Sequence, residues 1–249
     1  MIRLLPLILL LVMSCAHTSR QDQFIPPREV QSRLELAEKY LLEAEPRMAM
    51  EQLRIVRHSA KNNPTLYFFQ GVAYELLNDL ESSIMSYERA VDLHPDYGEA
   101  WNNLGQVRQA AGEYEAAQAA YERALALDDY MTPEFAAYNM ASLMAEQGKL
   151  DMALAYSRLG LEKNRRYTPL YQQSADLLRT TGRLEEAVEV LEMGVLARPD
   201  SLRLRIMLAE ELIRLGRENE ARKWFAGIIE NAPDSSEAET AAHYLEVLK

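Results

Sequence analysis

The chain has one cysteine in 249 residues, Cys15, so no disulfide can form within it. Its four histidines, His17, His58, His94 and His243, stand apart, none three or four positions from another. That leaves none of the ligand spacing a zinc site needs, and no metal is expected. No phosphate-cradling glycine loop, G-x-S-x-G elbow or H-E-x-x-H pair occurs. Paired carboxylates such as Glu185–Glu186 and Glu210–Glu211 read as solvated helix faces. The chain is therefore expected to be no enzyme, to need no cofactor and to act on no small-molecule substrate. Positive charge is scarce as well: 27 Lys and Arg stand against 38 Asp and Glu, a formal net charge of −11. The most basic stretch, residues 163–167, is short, and such a balance repels a phosphate backbone, so no nucleic-acid partner is expected. Glycine and proline number ten each, too few for a low-complexity chain. The longest apolar run, Leu4 to Met13, is half of the ~20 residues that cross a bilayer.

What is present begins at that run. Arg3 supplies a positive start, Leu4 to Met13 an apolar core and Ser14 a small residue before Cys15. This is the layout of a secretory signal peptide over residues 1–14. The ending Val12-Met13-Ser14-Cys15 resembles the lipobox of bacterial lipoproteins. The resemblance implies that Cys15 is diacylated, becomes the mature N-terminus and holds the protein to a membrane by its lipid. Ala16, rather than Asp, implies the outer membrane, with the protein facing the periplasm. Residues 15–29 follow as the lipidated Cys and a polar tether without helical period, with a reach of ~20 Å for about a dozen residues.

A 34-residue unit then recurs. Residues 98–131 carry Trp101, Leu104, Gly105, Ala117, Tyr121 and Ala124. The same skeleton lies in residues 30–63, 64–97, 134–167, 168–201 and 202–235, with Thr132-Pro133 inserted before the fourth unit and a single helix expected over 236–249. The eighth residue of each unit is small: Ala37, Gly71, Gly105, Ala141, Ala175 and Ala209. The twentieth is alanine in five units and Ser83 in the other. Small residues at these places let two helices approach closely. Gly112, Gly148, Gly182 and Gly216 fall where a first helix would end. Asn63-Pro64, Thr132-Pro133 and Thr168-Pro169 read as a cap followed by proline in the first turn. Ser236 and Glu239 read as a capping box for the last helix. The skeleton resembles the tetratricopeptide repeat, abbreviated TPR. The resemblance implies an all-α, right-handed solenoid of six helix–turn–helix repeats plus a C-terminal capping helix, together one domain over residues 30–249.

In that family the first helices line an inner wall. The corresponding positions here are Phe68 and Phe69 in the second unit and Asn102, Asn103 and Gln106 in the third. The fourth contributes Phe135, Tyr138 and Asn139, and the fifth Gln173. The resemblance makes them a candidate protein-binding groove, aromatics flanking amides. Asn103 and Asn139 share the sixth position, as in TPR proteins whose asparagines grip a peptide backbone. A second reading stays open, in which the aromatics pack between repeats and the amides meet only water. The Lys/Arg set that clamps a C-terminal carboxylate is absent, since the fifth positions are Leu34, Phe68, Asn102, Tyr138, Gln172 and Ile206.

Three features resemble a narrower family, the type IV pilus pilotins known as PilF, PilW or Tgl. The chain is a short lipoprotein made almost wholly of six repeats. Residues 128–141 (DDYMTPEFAAYNMA) interrupt the repeat spacing. The segment from Ser235 to Leu245 has the form Ser-x-x-Ala-x-x-Ala-x-x-Tyr-Leu. The resemblance implies a protein that helps secretin subunits reach the outer membrane and assemble there, with secretin as partner. The alternative is a general periplasmic TPR adaptor that recruits cell-wall or protease machinery. A fold hosts many functions, so the choice rests with the site.

Overall fold

The computed structural model describes residues 25–248. The expected signal peptide, Cys15 and most of the tether lie outside the described residues. Thirteen helices and no strand are present among the described residues. They run as α1 (Pro27–Leu42) and α2 (Pro46–Val56), α3 (Pro64–Leu76) and α4 (Leu80–Leu93), α5 (Gly98–Ala110) and α6 (Tyr114–Leu125). Then come α7 (Pro133–Glu146) and α8 (Leu150–Lys163), α9 (Thr168–Thr180) and α10 (Leu184–Ala197), α11 (Leu202–Arg214) and α12 (Glu218–Asn231), and the single α13 (Ser236–Val247). The architecture is an all-α TPR solenoid.

Local chemistry explains most boundaries. Asn63 caps α3 by accepting from the Thr65 N–H at 2.9 Å, and Pro64 occupies the first turn, where its missing donor costs nothing. Three boundaries differ from expectation. Helix α1 starts at Pro27, so the last residues assigned to the tether are helical. Thr168 is inside α9, whose N-cap is Tyr167, because Pro169 fits the second helical position as well as the first. The cap of α13 is Ser235, whose hydroxyl accepts from the Ala238 N–H at 3.1 Å. Ser236 is already helical, so its capping box with Glu239 does not form.

The turns inside the last four pairs place Gly112, Gly148, Gly182 and Gly216 at φ between 73° and 79°. The first two pairs have no glycine there, and Ala44 (φ 56°) and Asn78 (φ 59°) take the left-handed conformation instead. Asparagine tolerates it, but alanine sets its Cβ against the following carbonyl at a cost of ~1–2 kcal/mol. Part of that cost is offset by the greater unfolded-state freedom of glycine. Ala44→Gly should therefore stabilise the chain by about 0.5–1 kcal/mol, read by urea unfolding. An unchanged or lower midpoint would show that α1 and α2 join in some other way.

There is no single core. Five apolar clusters follow one another along the chain, each shared between neighbouring pairs. This is how a solenoid buries a surface that one helix pair cannot bury alone. Inside the second and third pairs the fit is set by glycine against tyrosine. A Cβ on Gly71 would lie 2.6 Å from the Tyr87 ring, and one on Gly105 would lie 2.5 Å from Tyr121. Both rings are fully buried. Ser83, the one non-alanine at the twentieth position, donates to the Gly71 carbonyl at 2.9 Å, which satisfies its buried hydroxyl.

The stack has two unlike sides. Successive first helices touch one another at α1–α3, α5–α7, α7–α9 and α9–α11, whereas no two second helices come as close. The first helices thus form the crowded side and the second helices the splayed side. Helix α13 packs on both α12 and α11 and covers the end of the array. Its Tyr244 stacks on Phe225 at 4.8 Å, the planes 8° apart.

Candidate functional site

The first helices α3, α5, α7 and α9 bring most of the expected groove residues onto one wall, but not all with free side chains. Phe69 is 8% exposed and belongs to the cluster shared with α1 and α2. Asn102 is 6% exposed. These two brace the wall from inside. Phe68 is half-buried and contacts Phe69, Tyr87 and Tyr97, with ring centroids 4.9–5.8 Å apart. Packing thus claims Phe68 and Phe69, whereas Gln106 and Phe135 are both exposed. Phe135 and Tyr138 meet Tyr167 edge-on at 5.2 and 6.2 Å. The inserted Thr132-Pro133 sets the start of α7, and so fixes where this aromatic pair emerges.

The amides are joined rather than scattered. The Asn139 side-chain amide donates to Asn102 at 2.9 Å, Asn102 donates to Asn103 at 3.3 Å, and Asn103 donates to the Tyr87 hydroxyl at 3.3 Å. Tyr87 in turn donates to the Glu75 carboxylate at 3.0 Å. A polar chain thus crosses three repeats. Asn103 and Asn139 are linked through buried Asn102, which fixes their orientation and leaves each half-exposed. A parallel chain runs from the Tyr121 hydroxyl to Gln109 at 2.9 Å and from Gln109 to Glu146 at 2.8 Å. Gln173 donates to the Ser142 hydroxyl at 2.6 Å and to the Tyr138 carbonyl at 3.3 Å, tying α9 to α7.

Tyr87, Tyr121, Glu75, Gln109 and Glu146 belong to these networks although the repeat positions used for the wall do not single them out. A signal for the tyrosines was present: they are the large twenty-fourth residues of the only two repeats with glycine at the eighth. Glycine lets the ring reach under the first helix, so its hydroxyl emerges on the far side. Burial pushes the Tyr87 and Tyr121 phenols up, with nearby Glu75 and Glu146 adding to it. They stay neutral donors. Burial raises the Glu75 carboxyl above the usual carboxylate range, while the Tyr87 hydrogen bond pulls it the other way. Tyr97 is pushed up to about 12 by burial and by Glu99 and Glu38.

Beyond the amides the wall opens into a cavity of about 310 Å³ lined by Tyr138, Pro169, Gln172, Gln173, Asp176 and Thr180 among others. Asp176 pairs with Arg179 at 2.7 Å. Among the described residues no cluster of three or more His, Cys, Asp or Glu side chains is placed to hold a metal ion. Nor is any described helix long and apolar enough to cross a membrane. The chemistry the wall offers is non-covalent: oriented amide donors and acceptors, exposed aromatic edges and carboxylates at the rim.

A stack of helix pairs with an amide-and-aromatic wall defines a repeat scaffold of the kind that binds other proteins. The chain belongs to the tetratricopeptide-repeat family. Tetratricopeptide-repeat models match residues 64–97, 86–119 and 173–236. A TPR repeat-containing protein of Pseudomonas aeruginosa is 34% identical over 79 residues, which take in 32% of this chain and 75% of that one. The mouse protein O-mannosyl-transferase TMTC1 is 45% identical over 62 residues, a quarter of this chain but only 7% of the transferase. So small a share does not establish catalysis here. Among solved structures, PilW, a widely conserved type IV pilus biogenesis factor, has a TM-score of 0.66 at 21% identity, with 87% of this chain and 100% of that chain covered. Pseudomonas aeruginosa pilF has a TM-score of 0.68 at 16% identity, covering 87% and 98%. At these identities the likeness is one of fold.

Proposed function

We propose that this protein is a lipid-anchored TPR scaffold of the pilotin type, which captures secretin subunits and brings them to the outer membrane during type IV pilus biogenesis. The observation that carries the reading is the end-to-end correspondence with PilW. Many TPR proteins share a run of repeats, but here the alignment takes in all of a chain described as a pilus biogenesis factor and nearly all of this one. The lipobox at Val12–Cys15 supports the same reading, because a protein that delivers subunits to a membrane needs a hold on that membrane. The oriented amides of α5 and α7 and the exposed Phe135 of α7 supply the capturing wall. No feature of the wall favours the general adaptor over this reading.

The wall makes a specific demand. Phe135 and Gln106 are the exposed members, so Phe135→Ala with Gln106→Ala should weaken capture of unassembled secretin subunits while helicity by circular dichroism and the unfolding midpoint hold. Truncating an exposed aromatic anchor at such a contact costs on the order of 1–2 kcal/mol, about a tenfold loss of affinity. Phe68→Ala is a poor test, because its ring packs on three others. Unchanged co-isolation of secretin subunits with the double variant would rule the wall out as the capturing surface.

A further inference from the structure

The splayed side carries a second surface that the proposed function does not use. Two adjoining cavities of about 560 and 200 Å³ share Arg158, Leu161, Tyr171 and Met193, and so form one trough between α8 and α10. Buried Tyr171 makes its floor, held in place by a hydrogen bond from its hydroxyl to the Arg165 carbonyl at 3.0 Å. Met193 and Leu196 stand on its edge 59% and 82% exposed. Helices α8 and α10 are splayed apart like the other second helices, and the trough lies open between them.

Charge gives the trough a direction. Arg165 and Arg166 lie at one end, lining the larger cavity alone, and Arg158 lies where the two cavities meet; all three are exposed, and among the described residues none of them makes an ion pair. Glu162 is the one carboxylate lining that larger cavity. The smaller cavity, at the other end, is lined by Glu186 and Glu189, with Arg183 already paired to Glu186 and Asp151. The chain has a net charge of −11, yet here three arginines outside any ion pair among the described residues gather beside an exposed apolar strip.

We infer that the trough between α8 and α10 docks an amphipathic helix of a protein partner, its apolar ridge on Tyr171, Met193 and Leu196 and its acidic end against Arg158, Arg165 and Arg166. Methionine adapts its shape to the incoming side chains. The planar guanidinium groups match carboxylates in bidentate geometry. This surface lies on the second helices, away from the amide wall, so it binds independently of the capture proposed for that wall.

The test uses the full chain and a labelled synthetic helix of 14 residues, the length of α8 and of α10. The probe carries leucines at i, i+3, i+4 and i+7 with glutamates in its first turn, and binding is read by fluorescence anisotropy. A second probe replaces those glutamates with lysines. The glutamate probe should bind about tenfold more tightly than the lysine probe, the equivalent of one lost charge pair. Arg165→Glu with Arg166→Glu should reverse that preference, and Met193→Asp should weaken both probes, with the helical signal kept in each variant. The reversal separates a local charge effect from a loss of folding. Vesicles of phosphatidylglycerol form a parallel arm. Equal binding of the two probes, no binding of either, an unreversed preference in the charge variant, or displacement of the glutamate probe by vesicles would each overturn the inference; displacement would reassign the trough to a membrane surface.

Discussion

Gly105→Ala should destabilise the chain by about 1–3 kcal/mol, although alanine is the better helix former. On an exposed helix the same change would gain about 1 kcal/mol, because alanine restricts the unfolded chain and glycine does not. The sign inverts here because of what the methyl group meets. It would lie 2.5 and 2.6 Å from two carbons of the Tyr121 ring. That ring is fully buried between α5 and α6 and cannot swing aside, since its hydroxyl is held by Gln109 at 2.9 Å. The helices must part, or the ring must leave its rotamer, and the loss reaches the next repeat through the Gln109–Glu146 bond. The other repeats show the remedy. In two of the four repeats with alanine at the eighth position, those of Ala37 and Ala175, the twenty-fourth is Leu53 or Leu191, smaller than tyrosine and without a hydroxyl. Tyr121→Leu added to Gly105→Ala should therefore cost less than the two changes summed, a coupling of about 0.5–3 kcal/mol by urea unfolding. A single Gly105→Ala variant as stable as the parent would mean that α5 and α6 do not pack as described.

Cys15→Ser has the largest expected effect on where the protein is found. Cys15 lies outside the described residues, so this expectation rests on the residues before it: Arg3, the apolar Leu4 to Met13 and Ser14. On the proposed reading a diacyl group joins the cysteine sulfur. One acyl chain holds a protein to a bilayer only marginally, whereas two or more hold it firmly. The net charge of −11 does not favour an anionic bilayer surface, and among the described residues no helix is long and apolar enough to cross a membrane. Loss from the membrane fraction should thus be nearly complete, leaving a soluble or unprocessed protein. Secretin capture should survive in the variant, since the wall is intact, while secretin rings form away from the outer membrane. Palmitate labelling of the parent chain that persists in Cys15→Ser would contradict the anchor.

The two variants also mark how far the sequence could be read. The repeat and its helix pairs were legible because packing imposes a fixed spacing of small residues: a solenoid demands the same fit in every unit. The turns were legible where glycine marks a left-handed residue, and illegible at Ala44 and Asn78, where tertiary packing forces the same conformation on other residues. Thr168 and Ser236 show the ordinary one-residue slip of helix starts, since a proline or a hydroxyl serves at more than one position of a first turn. The wall was legible as a set of positions but not as a network. Nothing local to Asn102 says that it is buried, or that it links Asn103 to Asn139. Nor does the position of Phe69 reveal that the first helix pair covers it. Those facts depend on how adjacent repeats lean on one another, which no single 34-residue unit encodes. The trough between α8 and α10 was hidden for the same reason: Arg165 and Arg166 look like a short basic run until Met193 and Leu196 are seen across from them.

The central proposal, that this scaffold serves secretin assembly, meets its most direct test in a strain lacking the gene. The measurement is the amount of heat-resistant secretin multimer on gels of separated inner and outer membranes. The account predicts secretin protein present but monomeric or outside the outer membrane, with multimers restored there by the parent chain and not by Cys15→Ser. Normal multimers in the outer membrane of the deletion strain would contradict it and favour the general adaptor.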